Sequence, residues 1–285
     1  MRNIFVTFIF LQSLFVAFAQ SVQPKMELTK IWETLPGLKI PESVLYDSVT
    51  GLIFVSNIEG NPSKKDSTGF ISTLSADGKI IKADWVKAID APKGMAILNN
   101  HLFVSNIDEV VEIDIAAATI VKRYPISGSK FLNDIAIDPK TGMIFITDTE
   151  TGVVYVMLNG KSSIWLQDAL YKGANGLYLK DNQLYIGTGN SILQADILTG
   201  SVIVCIANTG SIDGLFVASD NSFIYSDWRG SVFIAAKNRK PRLLLSTAAQ
   251  KVNAADFGVI PEKNMILIPT FGNNKVVAYT SDCIK

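Results

Sequence analysis

One pattern recurs six times along this 285-residue chain, and few folds accommodate it. The copies open with "PESVLYDSVTGLIFVSN", "PKGMAILNNHLFVSN", "LNDIAIDPKTGMIFITD", "ANGLYLKDNQLYIGTG", "IDGLFVASDNSFIYSD" and "AADFGVIPEKNMILIPT". Each is an alternating apolar run, a turn with Gly, Asn or Asp, and a second run. Two more strand-like runs follow each, as "GVVYVML" and "SSIWLQ" follow the third. The second residues of the openings are Glu42, Lys93, Asn133, Asn175, Asp213 and Ala255, at intervals of 51, 40, 42, 38 and 42 residues. Four-stranded units at this period predict an all-β chain, a six-bladed β-propeller forming one domain over residues 20–285. A sandwich or an ordinary barrel does not explain the fixed period. The sixth unit stops after its third strand, "KVVAYT", and an unpaired run, "ELTKIWETL", precedes the first. Pairing this N-terminal strand with the C-terminal blade closes the ring and removes two open sheet edges. The long first interval holds a polar insertion, "EGNPSKKDSTG", between strands two and three of blade one. It is expected to overhang the channel as a lid, or to stand as a solvated loop.

The first residues, "MRNIFVTFIFLQSLFVAFAQ", combine Arg2, an apolar run and Ala17-Phe18-Ala19. That is the pattern of a secretory signal peptide over residues 1–19. The run is shorter than the roughly 20 apolar residues of a membrane span. The mature protein is therefore expected to be secreted or periplasmic, off the membrane, and a monomer. Lysine plus arginine and aspartate plus glutamate are equal at 26 each, and no basic stripe appears, which argues against nucleic acid as a partner. The two cysteines, Cys205 and Cys283, fall in blades four and six and are expected to be unpaired. There is no G-x-S-x-G elbow, no Cys/His pair and no phosphate-binding fingerprint. The single histidine, His101, falls in the second strand of blade two, an unsuitable place for a base. An enzyme built on this chain would have to rely on metal and carboxylate.

The innermost strand of each blade lines the channel, so its start lies at one mouth. Glu42, Asn133, Asn175 and Asp213 then bring hard oxygen donors to one ring, a set suited to Ca2+, or to Mg2+ or Mn2+. The competing account is that Asn and Asp begin strands because they make turns and cap backbone groups. The ends of the second strands, Asn57, Asn106, Asp148, Thr188, Asp227 and Thr270, are expected as an outer polar set at the same mouth. Lys93 shares the ring. It would pair with Glu42 in place of a metal, bind an anionic substrate group, or point out into solvent. Trp228 would either stack on a substrate at the rim or pack between blades, and Trp32, Trp85 and Trp165 are expected in the core.

At "PESVLYD", "FLNDIAID", "GANGLYL" and "SIDGLFV" the chain resembles the family of gluconolactonase, senescence marker protein and luciferin-regenerating enzyme. The likeness spans the mature chain and is carried by these motifs. It implies a six-bladed propeller with one divalent cation, Ca2+ foremost, and a metal-dependent lactonase activity on a small-molecule substrate. Glu42, Asn175 and Asp213 would be the metal ligands and Asp213 the general base, with Asn133 against water or substrate. The family's sugar lactonases carry an arginine where this chain has Phe131, two residues before Asn133. Lys93 has no counterpart in the family pattern either. Both departures keep open a non-catalytic propeller that binds a small ligand or a protein at the same mouth. A purely structural metal is a third account.

Overall fold

Residues 28–237, 239–281 and 284 are described by the computed structural model. The segment expected as a signal peptide and Cys283 lie outside them. The described chain forms six antiparallel four-stranded sheets. Their innermost strands are Pro41–Asp47, Pro92–Leu98, Leu132–Ile137, Leu177–Lys180, Leu215–Val217 and Gly258–Ile260, for blades one to six. The six-bladed ring predicted from the repeat is what forms.

Each blade is apolar on both faces, which explains runs such as "LIFVS" that exceed simple alternation. In the second strand of blade one, Ile53 and Val55 pack towards Leu267 and Val276 of blade six. Phe54, between them, packs towards Leu102 and Val104 of blade two. The same division repeats around the ring, so the core is a series of inter-blade layers. Trp85 and Trp165 belong to these layers, against Phe54 and Phe145 at ring separations of 5.0 and 4.7 Å. Trp32 packs in the layer between blades six and one.

Closure follows the expected route. Thr29–Glu33 is the outermost strand of blade six, antiparallel to Val276–Thr280. The Thr34 amide donates to Val276 O at 2.9 Å, the Val276 amide donates to Thr34 Oγ1 at 3.1 Å, and Lys275 Nζ meets Glu33 Oε1 at 2.6 Å.

Turn chemistry sets the strand lengths. Asp47, Asp138, Asp148 and Asp196 each start a five-residue Asp-x-x-Thr-Gly turn. The aspartate side chain accepts from the amide two residues on, and the glycine amide returns to the aspartate carbonyl. The closing glycines sit at φ of +66 to +75°, where a side chain would be strained.

Candidate channel-mouth site

In blades one to three a break in strand register occurs at the start of the innermost strand. Pairing skips between Pro41 and Ser43, between Pro92 and Met95, and between Leu132 and Ile135. Hydroxyls of the second strands fill the gap. Ser56 Oγ accepts from the Ser43 amide at 2.9 Å, Thr147 Oγ1 from the Asp134 amide at 3.0 Å, and Ser226 Oγ from the Gly214 amide at 2.8 Å. Thr147 and Ser226 also donate across to the next blade, to Asn175 O and Ala255 O, each at 2.9 Å. The register break and the bridging hydroxyl coincide beside Glu42 and Asn133, and beside Asp213 the hydroxyl bond occurs without a register break.

The result is a cavity of about 230 Å³ lined by Glu42, Lys93, Asn133, Asn175, Asp213 and Trp228, with Ile58, Pro62, Phe131, Ser211, Ile212 and Phe271 as its other walls. Every residue singled out from the repeat for metal, base or substrate contact therefore shares one space. Ala255, the sixth position of the ring, is buried and does not line it. Phe271, at the start of the short 3-10 helix Phe271–Asn273 in blade six, lines the cavity.

Asn175 Nδ2 donates to Asp213 Oδ1 at 2.7 Å, so the amide oxygen of Asn175 faces away from that carboxylate. Asn133 Nδ2 donates to Thr149 Oγ1 at 3.1 Å, and Thr149 in turn donates to Ala174 O in the next blade. Four buried side-chain polar atoms lack a hydrogen-bond partner among the described residues, and two of them are Glu42 Oε2 and Asn175 Oδ1. An unpartnered buried oxygen is costly, and a water or a cation in the cavity would satisfy both. No group of three His, Cys, Asp or Glu side chains among the described residues could hold a metal ion by itself. A cation here would have to include an amide oxygen, as the Glu42, Asn175, Asp213 set does.

Burial dominates the electrostatics. It raises Glu42 well above the ordinary carboxylate range, with the nearby Asp213 charge adding to the rise. Asp213 is pushed up to about 7, chiefly by burial, against the opposing hydrogen bond from Asn175. Lys93 is pulled down to about 8 by burial, while the Glu42 and Asp148 charges partly offset that.

Lys93 points inward, with 1% of its surface exposed, so the outward reading is overturned. Nor does it pair with Glu42. Its Nζ donates to Ala91 O at 3.1 Å and to Pro62 O at 3.3 Å, and lies 4.3 Å from the centre of the Phe131 ring. The insertion supplies Pro62 and so overhangs the mouth. It is tied to blade two through Lys65 Nζ and Asp108 Oδ2 at 2.5 Å. Trp228 stands at the rim, 49% exposed, edge-on to Phe271 with ring centres 5.5 Å apart.

The expected outer polar set stands behind the cavity wall, with the Asp148 and Asp227 charges acting on Lys93 and Asp213. None of its six members lines the cavity. They cap the loops that enter and leave each blade: Asn57 Oδ1 accepts from the Lys39 amide, Asn106 Oδ1 from Ala91, Asp148 Oδ2 from Lys130 and Asp227 Oδ1 from Arg229. Thr188 and Thr270 do the same for Ser191 and Lys275. Turn and cap chemistry explains this set fully. His101 is engaged by Glu112 at 2.6 Å, away from the cavity. Cys205 is a free thiol.

Two features lay outside the sequence reading. A collar of Ile58, Ala91 and Ile107, with Ile40 and Phe271 packed on it, forms a small apolar cluster at the mouth. Ile40, Ile107 and Phe271 hold φ of +50, +51 and +45°. Such values are rare for bulky or β-branched residues and gather where a structure constrains a site. Further along the axis, a channel of about 600 Å³ opens between the innermost strands, with Asp134 and Asp256 in its wall. Both acids are raised by desolvation, Asp134 to about 7 and Asp256 well above its ordinary value, although part of Asp256 reaches the channel. Their signal was the third residue of each opening: Ser43, Gly94, Asp134, Gly176, Gly214, Asp256. Only small residues and aspartates occur there, because neighbouring strands approach closely. A Cβ on Gly94 would lie 2.4 Å from Asp134 Oδ1.

No family model and no curated protein matches the sequence. Solved structures do resemble it in shape. Streptogramin B lyase aligns with a TM-score of 0.64 at 11% identity, over 90% of this chain and 97% of that one. A gluconolactonase structural-genomics target aligns with 0.64 at 14%, over 91% and 93%. A chain of a nidogen/laminin complex aligns with 0.65 at 15%, over 82% and 96%. At such identities the likeness shows the propeller fold.

Proposed function

We propose that this chain is an exported, divalent-metal-dependent hydrolase, a lactonase or related esterase, working at the channel mouth. The observation that carries the reading is the pair of unpartnered buried oxygens, Glu42 Oε2 and Asn175 Oδ1, in the cavity that also holds Asp213. Glu42, Asn175 and Asp213 would hold the cation, with Ca2+ best suited to a mixed carboxylate and amide set open to water. When bound, it would supply Lewis-acid polarisation of a substrate carbonyl.

The chain's own groups account for the rest. Asp213, a buried carboxylate in the cavity wall, would serve as the general base. It would take a proton from a water attacking the lactone carbonyl carbon. The ring carbon–oxygen bond then breaks, and the proton passes to the leaving oxygen. The Asn175 amide holds Asp213 Oδ1 in place. Asn133 is positioned to contact water or substrate, and the apolar walls shield the carbonyl from bulk solvent.

Thermal unfolding in EDTA, then with Ca2+, Mg2+ or Mn2+ added singly, tests the reading. Binding to the folded state alone raises stability by about 2.7 kcal/mol at a hundredfold excess over Kd. The expected result is a midpoint that climbs with one of these ions in the wild type and stays flat in Asp213→Asn. A lactone turned over by the wild type should be hydrolysed about 100-fold more slowly by that variant. A midpoint that ignores all three ions would sink the metal reading. The alternative, a non-catalytic binding propeller, draws on Phe131 and Lys93, which depart from the sugar-lactonase pattern. It predicts a ligand-dependent midpoint with no turnover.

A further inference from the structure

Among the described residues Lys93 is the one basic side chain in the walls of the mouth cavity, and no carboxylate is in ion-pair contact with it. An ammonium has three N–H donors. Two of them go to the backbone carbonyls of Ala91 and Pro62, which are neutral acceptors, and among the described residues no further acceptor engages the third. The Phe131 ring 4.3 Å away steadies the charge by its π face and offers no acceptor in the plane of a hydrogen bond. Buried charges are ordinarily paired, and an unpaired one held by its neighbours in a fixed pose is prepared for an incoming counter-charge. The apolar walls of the cavity are Ile58, Phe131, Ile212, Trp228 and Phe271, beside the polar Glu42, Asn133, Asn175, Ser211 and Asp213. At about 230 Å³ it falls below the roughly 300–1,000 Å³ of drug-sized pockets.

We infer that Lys93 anchors a carboxylate carried by a small, largely apolar substrate. This deepens the hydrolase reading by naming its substrate class, an acid-bearing aryl or alkyl lactone or ester, and rests on that reading only for the reaction. A single free donor and a single positive charge suit a carboxylate. A phosphate dianion would bring a second negative charge towards Glu42 and Asp213 with no second cationic side chain to meet it. Phe131 lines the cavity beside Lys93 and offers a flat apolar face against which such a substrate's body can lie.

The probes are 3-phenylpropionate and its neutral amide, titrated calorimetrically into wild type and Lys93→Met in Ca2+ and again in EDTA. The wild type should bind the acid at least about tenfold more tightly than the amide. Lys93→Met should bind the two alike while keeping its Ca2+-dependent rise in unfolding midpoint. Equal binding of acid and amide by the wild type, or binding of neither, overturns the proposal, and this comparison needs no variant to fold. A preference for the acid that survives Lys93→Met also overturns it, since the carboxylate would then sit on the cation. An acid preference in EDTA that Lys93→Met removes, in a protein whose midpoint ignores metal, would uphold the anchor and sink the hydrolase reading.

Discussion

At the scale of the residue, the site depends on how closely neighbouring innermost strands approach. Gly176 separates Asn175 from Leu177, and a Cβ there would lie 2.3 Å from Asp213 O. Its absence lets Asn175 reach the Asp213 carboxylate. Gly176→Ala is expected to destabilise the fold by about 1–3 kcal/mol through overpacking, read as a lower urea midpoint at unchanged slope. It should also weaken the metal-dependent rise in unfolding temperature, because the displaced backbone carries Asp213. An alanine variant with wild-type stability and metal response would mean that the strands have slack. The asparagine before this glycine was legible in the sequence as one of six equivalent positions. That its Oδ1 would be left without a partner was not, since this depends on Asp213 taking the Nδ2 from another blade.

At the scale of the element, the propeller turns on one non-sequential pairing. Thr29–Glu33 has four exposed positions out of five, with only Trp32 partly buried, yet it seals the edge of blade six. A chain beginning after Glu33 would expose the Val276–Thr280 edge and lose Trp32 from the inter-blade layer. We expect this truncation to lower the unfolding temperature by several degrees and to form higher oligomers on size-exclusion chromatography, as open edges do. A monodisperse monomer with the wild-type midpoint would contradict this account of closure. The pairing itself was readable from strand counts at the two ends. The role of the insertion was half-readable: its place between two strands fixed the face it overhangs, whereas the Pro62 contact to Lys93 depends on a loop conformation with no counterpart in the other units.

Across the whole molecule, the axis concentrates buried acid. Asp134 and Asp213 are raised to about 7 from an ordinary value near 3.8, and Glu42 and Asp256 are raised as well, all chiefly by desolvation. The sign of the consequence follows from proton counting. Between about pH 4 and pH 7 the folded state holds protons on these groups that the unfolded chain has released. The stabilisation is complete below the unfolded values and is lost as pH rises through the folded ones. Metal-free protein should therefore melt at progressively lower temperature from pH 5 to pH 7.5. Asp256→Asn removes one buried charge, and Ser43, whose hydroxyl donates to Asp256 Oδ2 at 2.5 Å, can turn to suit the amide. That variant should flatten the slope and raise the midpoint at pH 7.5. A midpoint that climbs over this range would overturn the picture of an acid-loaded axis. A bound divalent cation should reverse the trend near neutrality by favouring the ionised carboxylates.

The sequence by itself determined what repeats. Alternation, turn residues and a period near forty residues specify four-stranded blades, their number and the closure of the ring, because strand formation and turn geometry are local and the ring copies them six times. The same equivalence brought Glu42, Asn133, Asn175 and Asp213 to one mouth. Only the tertiary structure decided what does not repeat. Lys93 turns inward because Ala91, the Pro62 carbonyl and the Phe131 ring receive it there. The collar of Ile40, Ile107 and Phe271 holds left-handed backbone against its own preference. Asn57 and its counterparts cap loops and do not line the cavity. Each of these outcomes is set by contacts between segments far apart in the chain, which local patterning does not encode.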